Sequence, residues 1–165
     1  MFEPIRVFQH YLRQLQHVLD LIKQAEGDEL LSARLHADML PLVNQVRAAA
    51  NFTLRGCCPL VGEPVVSFDG DIDTLDALHQ QIEKTIEHLK QLPTQRCPPS
   101  RVLIDKAGFN EVSLPADDFI TLYITPNFFF HLNMVYAIAR HYGVPLSKQD
   151  YDGFHGYPLG FSFER

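Results

Sequence analysis

Pro126-Asn127-Phe128-Phe129-Phe130-His131 is the stretch on which the reading of the fold turns. It sits inside a long apolar-patterned segment that begins near Asp117 or Asp118 and runs to about Tyr142, where Gly143 and Pro145 stop it. The segment reads as a helix, the last of four. A proline in a helix interior removes a backbone hydrogen bond and crowds the preceding turn, so a kink or break is expected near Thr125. Asn127 and His131 share a face at a spacing of four, and Asn133, Tyr136 and Arg140 continue as a polar seam beside aromatic residues.

Working outward, Arg101-Val102-Leu103-Ile104 and Phe109-Asn110-Glu111-Val112-Ser113-Leu114 flank Asp105-Lys106-Ala107-Gly108, a pattern that predicts a small β-hairpin. A third helix opens at Asp73, with Leu75, Leu78, Ile82, Ile86 and Leu89 on its inner face and Pro93 past its end. The stretch from Gly56 to Gly70, with Pro59, Gly62 and Pro64, reads as a long surface connection. The second helix starts between Ser32 and Asp38, with Pro41 in its first turn if Asp38 is the cap, and carries Val43, Val46, Ala50 and Leu54 inward. The first helix runs to about Ala25 on a stripe of Ile5, Phe8, Leu12, Leu15, Leu19 and Ile22, between Pro4 and Gly27. Residues 144–165 read as irregular. Within them 154–165 form an aromatic tail whose Phe154, Tyr157, Phe161 and Phe163 can pack across the bundle or a partner. The whole predicts one all-α domain over 1–165, a four-helix bundle with a small β-hairpin, in which the second-to-third connection is long enough to cross over.

With 165 residues, 46% hydrophobic and 21% charged, the chain can bury roughly two thirds of its unfolded surface and needs no disulfide or metal to fold. A formal charge of −6 without a basic tract argues against nucleic acid as a partner. No apolar run reaches the ~20 residues that span a bilayer, and the first residues open directly into an amphipathic pattern. Cys57, Cys58 and Cys97 are too few for a disulfide framework, and the expected compartment is the cytoplasm.

Eight histidines invite a metal reading, which helix geometry restricts. His10 and His17 lie roughly 10 Å apart along one helix and His131 and His141 about 15 Å, too far to share an ion. His79 and His88 fall on opposite faces. A metal built across helices stays open: His36 and Asp38 could converge with His131. The plainer alternative makes His36 solvated, Asp38 a helix cap and His131 a hydrogen-bonded core residue. Cys57-Cys58 reads as a buried apolar pair, since a vicinal disulfide is strained. No nucleophile elbow, P-loop or dinucleotide fingerprint is present.

Arg34-Leu35, Asp38-Met39, Pro41-Leu42 and Gln45-Val46 form one set of landmarks. The hexapeptide 126–131, Tyr136-Ala137, Arg140, Gly143-Val144, Lys148 and Asp150-Tyr151 form a second. Together they resemble a bacterial family of unknown function in the DinB/YfiT-like metalloenzyme superfamily, from the first helix to about Gly153. The resemblance implies a DinB-like four-helix bundle and, commonly, a homodimer. In better-characterised relatives, thiol-dependent transferases among them, it also implies a divalent metal, zinc or nickel. Three histidines hold that metal, one from the second helix and an i, i+4 pair from the fourth. If His131 matches the first of the pair, Val135 stands at the second, and the second-helix core positions are Met39, Val43 and Val46.

Three functional readings follow. The first is a small-molecule pocket near the kinked fourth helix that has lost the three-histidine site. Its candidate lining is Arg34, Asp38, Gln45, Asn127, His131, Tyr136 and Arg140; as a binding module it carries no chemistry, whereas as an enzyme it would use His131 as general base or sole metal anchor and Arg140 to orient an anionic group. The second is a metal-dependent hydrolase or thiol transferase with Asp38 and His131 at a non-standard zinc or nickel site. The third is a non-catalytic scaffold, in which Arg140 pairs with Asp38 or Asp150 and the aromatic tail makes a dimer contact.

Overall fold

The computed structural model describes residues 3–158, 161 and 162. Helix α1 (Glu3–Ala25) buries Ile5, Phe8, Leu12, Leu15, Leu19 and Ile22, the stripe its sequence spacing dictates. Gly27 takes a positive φ of 68° just beyond it and leads into a 3₁₀ segment, Gly27–Ser32.

Helix α2 (Leu42–Leu60) begins later than the sequence suggests, because neither expected cap is available. The Ser32 hydroxyl donates back to the Glu29 carbonyl, and the Asp38 carboxylate pairs with His36. Pro41 stands at the N-cap instead, with extended backbone, and the preceding turn is closed by Leu42 N–H donating to the Ala33 carbonyl at 2.8 Å. The helix also runs through Gly56 to Leu60, so the connection to the next helix is 61–74 rather than 56–70. Gly56 is helical because a larger residue would not fit. A Cβ there would lie 2.5 Å from Cγ2 of Ile124. Arg47 ties the connection down through Asp69 (3.1 Å), Asp73 (3.0 Å) and the Ile72 carbonyl (3.0 Å).

Helix α3 (Leu75–Gln91) is capped one residue later than expected, by the Thr74 hydroxyl accepting from Ala77 N–H, and buries Leu75, Leu78, Ile82, Ile86 and Leu89. Strands β1 (Val102–Ala107) and β2 (Asn110–Pro115) form an antiparallel hairpin in the register Leu103↔Leu114 and Ala107↔Asn110. Its turn is Gly108-Phe109, not 105–108. Gly108 supplies the positive φ (62°) that a two-residue loop needs at its first position, so Asp105, Lys106 and Ala107 stay in the strand.

Helix α4 (116–141) does not break at Pro126. It opens with Ala116–Asp118, widens into a π-helical stretch over Phe119–Ile124, and continues as α-helix over Thr125–His141. Ile124 (φ −67°, ψ −53°) and Thr125 (φ −62°, ψ −46°) both keep right-handed helical backbone. The widened turn makes room for the proline ring, and the Asn127 side chain donates to the Tyr123 carbonyl at 2.7 Å, occupying an acceptor that the irregular register exposes. At the far end Gly143 N–H donates to Arg140 and Val144 N–H to Ala139, a Schellman closure with Gly143 at φ 94°.

The segment after Val144 is not wholly irregular. Ser147-Lys148-Gln149-Asp150 is a capping box that starts a short helix α5 (Lys148–Asp152), ended by Gly153. Phe163, expected in the tail contact, lies outside the described residues. α2 packs against α4 on one side and α3 on the other, α1 lies on α3 and α2, and α5 docks on α1. The result is a mainly helical four-helix bundle with one small hairpin. Among the described residues no helix is long and apolar enough to cross a membrane.

Candidate functional site between the second and fourth helices

The hexapeptide divides its side chains between two neighbours. Phe128 and Phe129 point to α1, where Phe128 meets Phe8 edge-on at 4.9 Å and Phe129 meets Tyr11 at 4.9 Å. His131 faces α2 and bonds Gln45 across 2.7 Å. Gln45 is buried, and its amide N–H donates to the Leu40 carbonyl at 3.1 Å, so its Oε1 is what faces the imidazole. His131 therefore carries its proton on Nδ1 and keeps the Nε2 lone pair. Burial holds the His131 pKa below the ordinary histidine value, and the Arg55 guanidinium pushes the same way. The ring is neutral at pH 7, with one nitrogen committed and one uncommitted among the described contacts.

Beside this pair stands a second constellation that was not visible in the sequence. His131 stacks on Phe52 (centroids 5.4 Å apart, planes at 24°), and the Arg55 guanidinium carbon lies 4.4 Å from the centroid of the same Phe52 ring. Arg55 donates to Asp105 (2.9 Å), to the Lys106 carbonyl (2.7 Å) and to the Tyr123 hydroxyl (2.8 Å). Tyr123 in turn donates to Asp105 at 3.2 Å. One arginine thus joins α2, the hairpin and the π-helical stretch of α4. Burial raises the Tyr123 pKa, with Asp105 adding to the effect and Arg55 opposing it.

A groove of about 420 Å³ opens along the outer face of α2 against the 61–74 connection. Leu40, Ala48, Val65 and Val66 give it apolar walls, Phe52 and Arg55 form the side nearest His131, and Asn44 offers an amide. The charged groups along it are already matched: Arg47 with Asp69 and Asp73, and Arg55 with Asp105.

The other expected site residues lie elsewhere. Asp38 is exposed and bonded to His36 at 2.5 Å. Arg34 is exposed and holds its own turn through the Ala37 and Met39 carbonyls, so its role in the described contacts is local. Asn127 serves the Tyr123 carbonyl. Tyr136 turns toward α5, meeting Tyr151 edge-on at 5.8 Å, and Arg140 lines a separate cleft there. Asn133 and Arg140 are exposed, so the seam runs along the surface rather than through the core. The expected partners of Arg140 are engaged otherwise, Asp38 by His36 and Asp150 by His17 at 2.9 Å. Cys57 and Cys58 are buried, as their apolar setting requires, and burial raises both thiols above the usual cysteine pKa, Cys57 far above it.

A three-histidine metal set does not fit the residues present. The position one turn past His131 is Val135, fully buried, and the α2 side chain that meets His131 is Gln45, an amide. Among the described residues no three His, Cys, Asp or Glu side chains are grouped as metal ligands.

The architecture and these landmarks agree with a family model, the domain of unknown function DUF1993, that matches residues 3–152. The chain belongs to the DUF1993 family. A solved structure with the same fold is the crystal structure of a DinB family member protein from Shewanella denitrificans. It is 26% identical, covers 93% of this chain and 92% of its own, and superposes with a TM-score of 0.76. Among curated proteins none matches. The DUF1993 chain thus has a DinB-like bundle, and what the fold carries must be argued from its sites.

Arg55, Phe52, Tyr123 and Asp105 went unnoticed in the sequence because they are joined only by the fold. Asp105 is 50 positions from Arg55 and Tyr123 is 68. One signal was available for the unusual helix. The buried residues Ile120, Ile124, Phe128 and Leu132 repeat every fourth position, not at alternating threes and fours.

Proposed function

We propose that this protein is a small-molecule-binding member of the DinB-like fold, with its binding groove on the outer face of α2. One observation carries the reading: Phe52 is at once a wall of the 420 Å³ groove and the ring on which His131 stacks. A groove with apolar walls, a free-standing amide at Asn44 and internally matched charges suits an uncharged ligand with an apolar body and one hydrogen-bonding group. Burial of such a body contributes roughly 25 cal/mol per Å² removed from water, without a desolvated charge to oppose it. The direct Gln45–His131 bond supports the further view that this family member uses the inter-helix position as a structural link where relatives hold a metal.

The test is a fragment screen on the full chain, read by backbone amide shifts. Uncharged fragments of about ten to fifteen heavy atoms should move amides of 44–55 and 65–67, with affinities bounded by the usual ligand efficiency. Ala48→Phe, which fills the groove from a half-buried position, should abolish those shifts while leaving the melting temperature nearly unchanged. Shifts that persist in Ala48→Phe, or a screen whose hits all cluster away from α2, would overturn the reading.

A further inference from the structure

The far half of α4 carries a second concavity, of about 380 Å³, that shares no residue with the α2 groove. Tyr136 and Arg140 from α4, Ser147 and Lys148 from the start of α5, and Tyr157 and Phe161 from the following segment line it. Its chemistry differs from that of the first groove in two respects. Arg140 and Lys148 both face it, and among the described residues neither has a carboxylate within ion-pair distance. The nearby carboxylate of Asp150 is committed, one oxygen to His17 (2.9 Å) and the other to the backbone and hydroxyl of Ser147 (2.7 and 2.9 Å). In a chain of net charge −6, two cations lining one cleft without an ion pair among the described residues concentrate positive charge there.

The second respect is aromatic. Tyr157 and Phe161 are stacked, with centroids 5.2 Å apart and planes at 12°. Tyr136 is held by Tyr151, which leans on Tyr11, so this wall is anchored to α1. Flat rings beside paired cations favour a ligand that is planar at one end and anionic at the other.

We propose that this cleft binds an aromatic oxyanion, a carboxylate or phosphate monoester on a single ring, with Arg140 and Lys148 meeting the oxyanion and Tyr136 meeting the ring, while Tyr157, on which His155 and Phe161 already stack, borders it with its edge. Arg140 supplies a planar fork that can hold two oxygens at once, and Lys148 supplies a point charge. Binding places an anion against both cations. It also needs no metal and no residue of the α2 groove, so its failure and that of the groove reading are distinguishable.

The experiment titrates the full chain with phenyl phosphate, benzoate, inorganic phosphate and benzyl alcohol in low salt, read by amide shifts and calorimetry. Phenyl phosphate and benzoate should move amides of 136–148 and 157, and the tighter of the two identifies the preferred oxyanion. Inorganic phosphate should bind about three- to tenfold more weakly than phenyl phosphate for want of the ring contact. Benzyl alcohol, with a ring and no charge, should not bind. Arg140→Gln and Lys148→Ala should each weaken phenyl phosphate by roughly three- to tenfold, and rising salt should weaken it further. Both side chains are exposed, so a purely structural role would show in melting temperature and leave affinity alone. The proposal fails if phenyl phosphate leaves these amides unmoved, if benzyl alcohol competes equally, or if both variants keep wild-type affinity.

Discussion

Replacing Gly56 by alanine sets two physical effects against each other at one position. Gly56 lies in the interior of α2, where alanine should stabilise the helix by about 1 kcal/mol. The new methyl, however, would stand 2.5 Å from Cγ2 of Ile124, 3.2 Å from its Cγ1 and 3.3 Å from Cδ1 of Ile120. Ordinary carbon contacts lie at about 3.5–4.0 Å, so the closest pair must open by roughly 1 Å. All three partner atoms sit in a fully packed core, and overpacking of this kind costs about 1–3 kcal/mol. The steric term wins for an overlap this deep, and the net change is a loss of up to about 2 kcal/mol. For a chain of this length that lowers the melting temperature by up to roughly 8 °C, measurable by calorimetry or circular dichroism. A double-mutant cycle isolates the cause. Ile124→Ala alone should cost about 2–5 kcal/mol, but combined with Gly56→Ala it should cost less than the sum by about 1 kcal/mol or more. Because α2 and α4 also meet at Gln45 and His131, the single variant should lengthen that 2.7 Å bond and weaken its hold on the imidazole. A Gly56→Ala protein that melts higher than the wild type, or a cycle with no coupling, would refute the close approach of the two helices.

Three more outcomes follow from the site. In wild type, nitrogen NMR of His131 should report the Nδ1–H tautomer, and Gln45→Leu should release it while costing about 1–3 kcal/mol through an unpaired buried group; a dominant Nε2–H form in wild type would contradict the assignment. The folded-state pKa of His131 lies below its unfolded value of 6.5, so the unfolded chain binds the proton first. Stability is therefore complete above pH 6.5 and lost as pH falls below it toward the folded pKa; His131→Gln should flatten that part of a denaturation-versus-pH curve, and an unchanged slope would count against the buried neutral ring. Asp152→Asn should loosen the segment after α5, because Asp152 accepts the Phe154 and His155 N–H groups at 2.8 and 3.1 Å as well as the His155 ring; faster proteolysis near Gly153 is the expected readout, and unaltered cleavage would argue against this anchor.

The parts of this fold that were legible in the sequence are those governed by local rules. Helix α1 follows directly from its apolar spacing, and α3 from the same pattern with a nearby cap. The start of α2 was misread because Ser32 and Asp38 are both competent caps, and sequence alone does not reveal that Glu29 and His36 engage them. The pocket expected around Asp38, Asn127, His131, Tyr136 and Arg140 joined two neighbouring polar rows of the fourth helix to the start of the second. Five positions separate His131 from Tyr136, about 140° around an α-helix, so the two look to different neighbours. His131 and Gln45 were both named as candidates, yet their direct contact spans 86 positions and belongs to tertiary structure alone.

The π-helical stretch links these observations. Ile120, Ile124, Phe128 and Leu132 must all face inward, at successive steps of four residues. In a regular α-helix each such step overshoots a full turn by about 40°, so three steps carry the last residue about 120° from the first. No flat neighbour can receive a stripe that wanders that far. A turn closed by i→i+5 bonds rotates each residue through a smaller angle, and its position over Phe119–Ile124 sets Ile120 and Ile124 back toward the line of Phe128 and Leu132. The widening needs space on the far side of the contact, and Gly56 provides it by having no side chain where Ile124 arrives. With the stripe realigned, the residue just before Leu132 comes to the edge of the α2–α4 contact, and that residue is His131. Pro126 fits the same scheme. Directly after the widened turn its missing N–H and its ring are accommodated, whereas in an unbroken α-helix both would be penalised. The glycine on α2, the wide turn, the proline and the histidine are therefore one device. A helix that holds His131 against Gln45 and Phe52 at these distances draws on all of them.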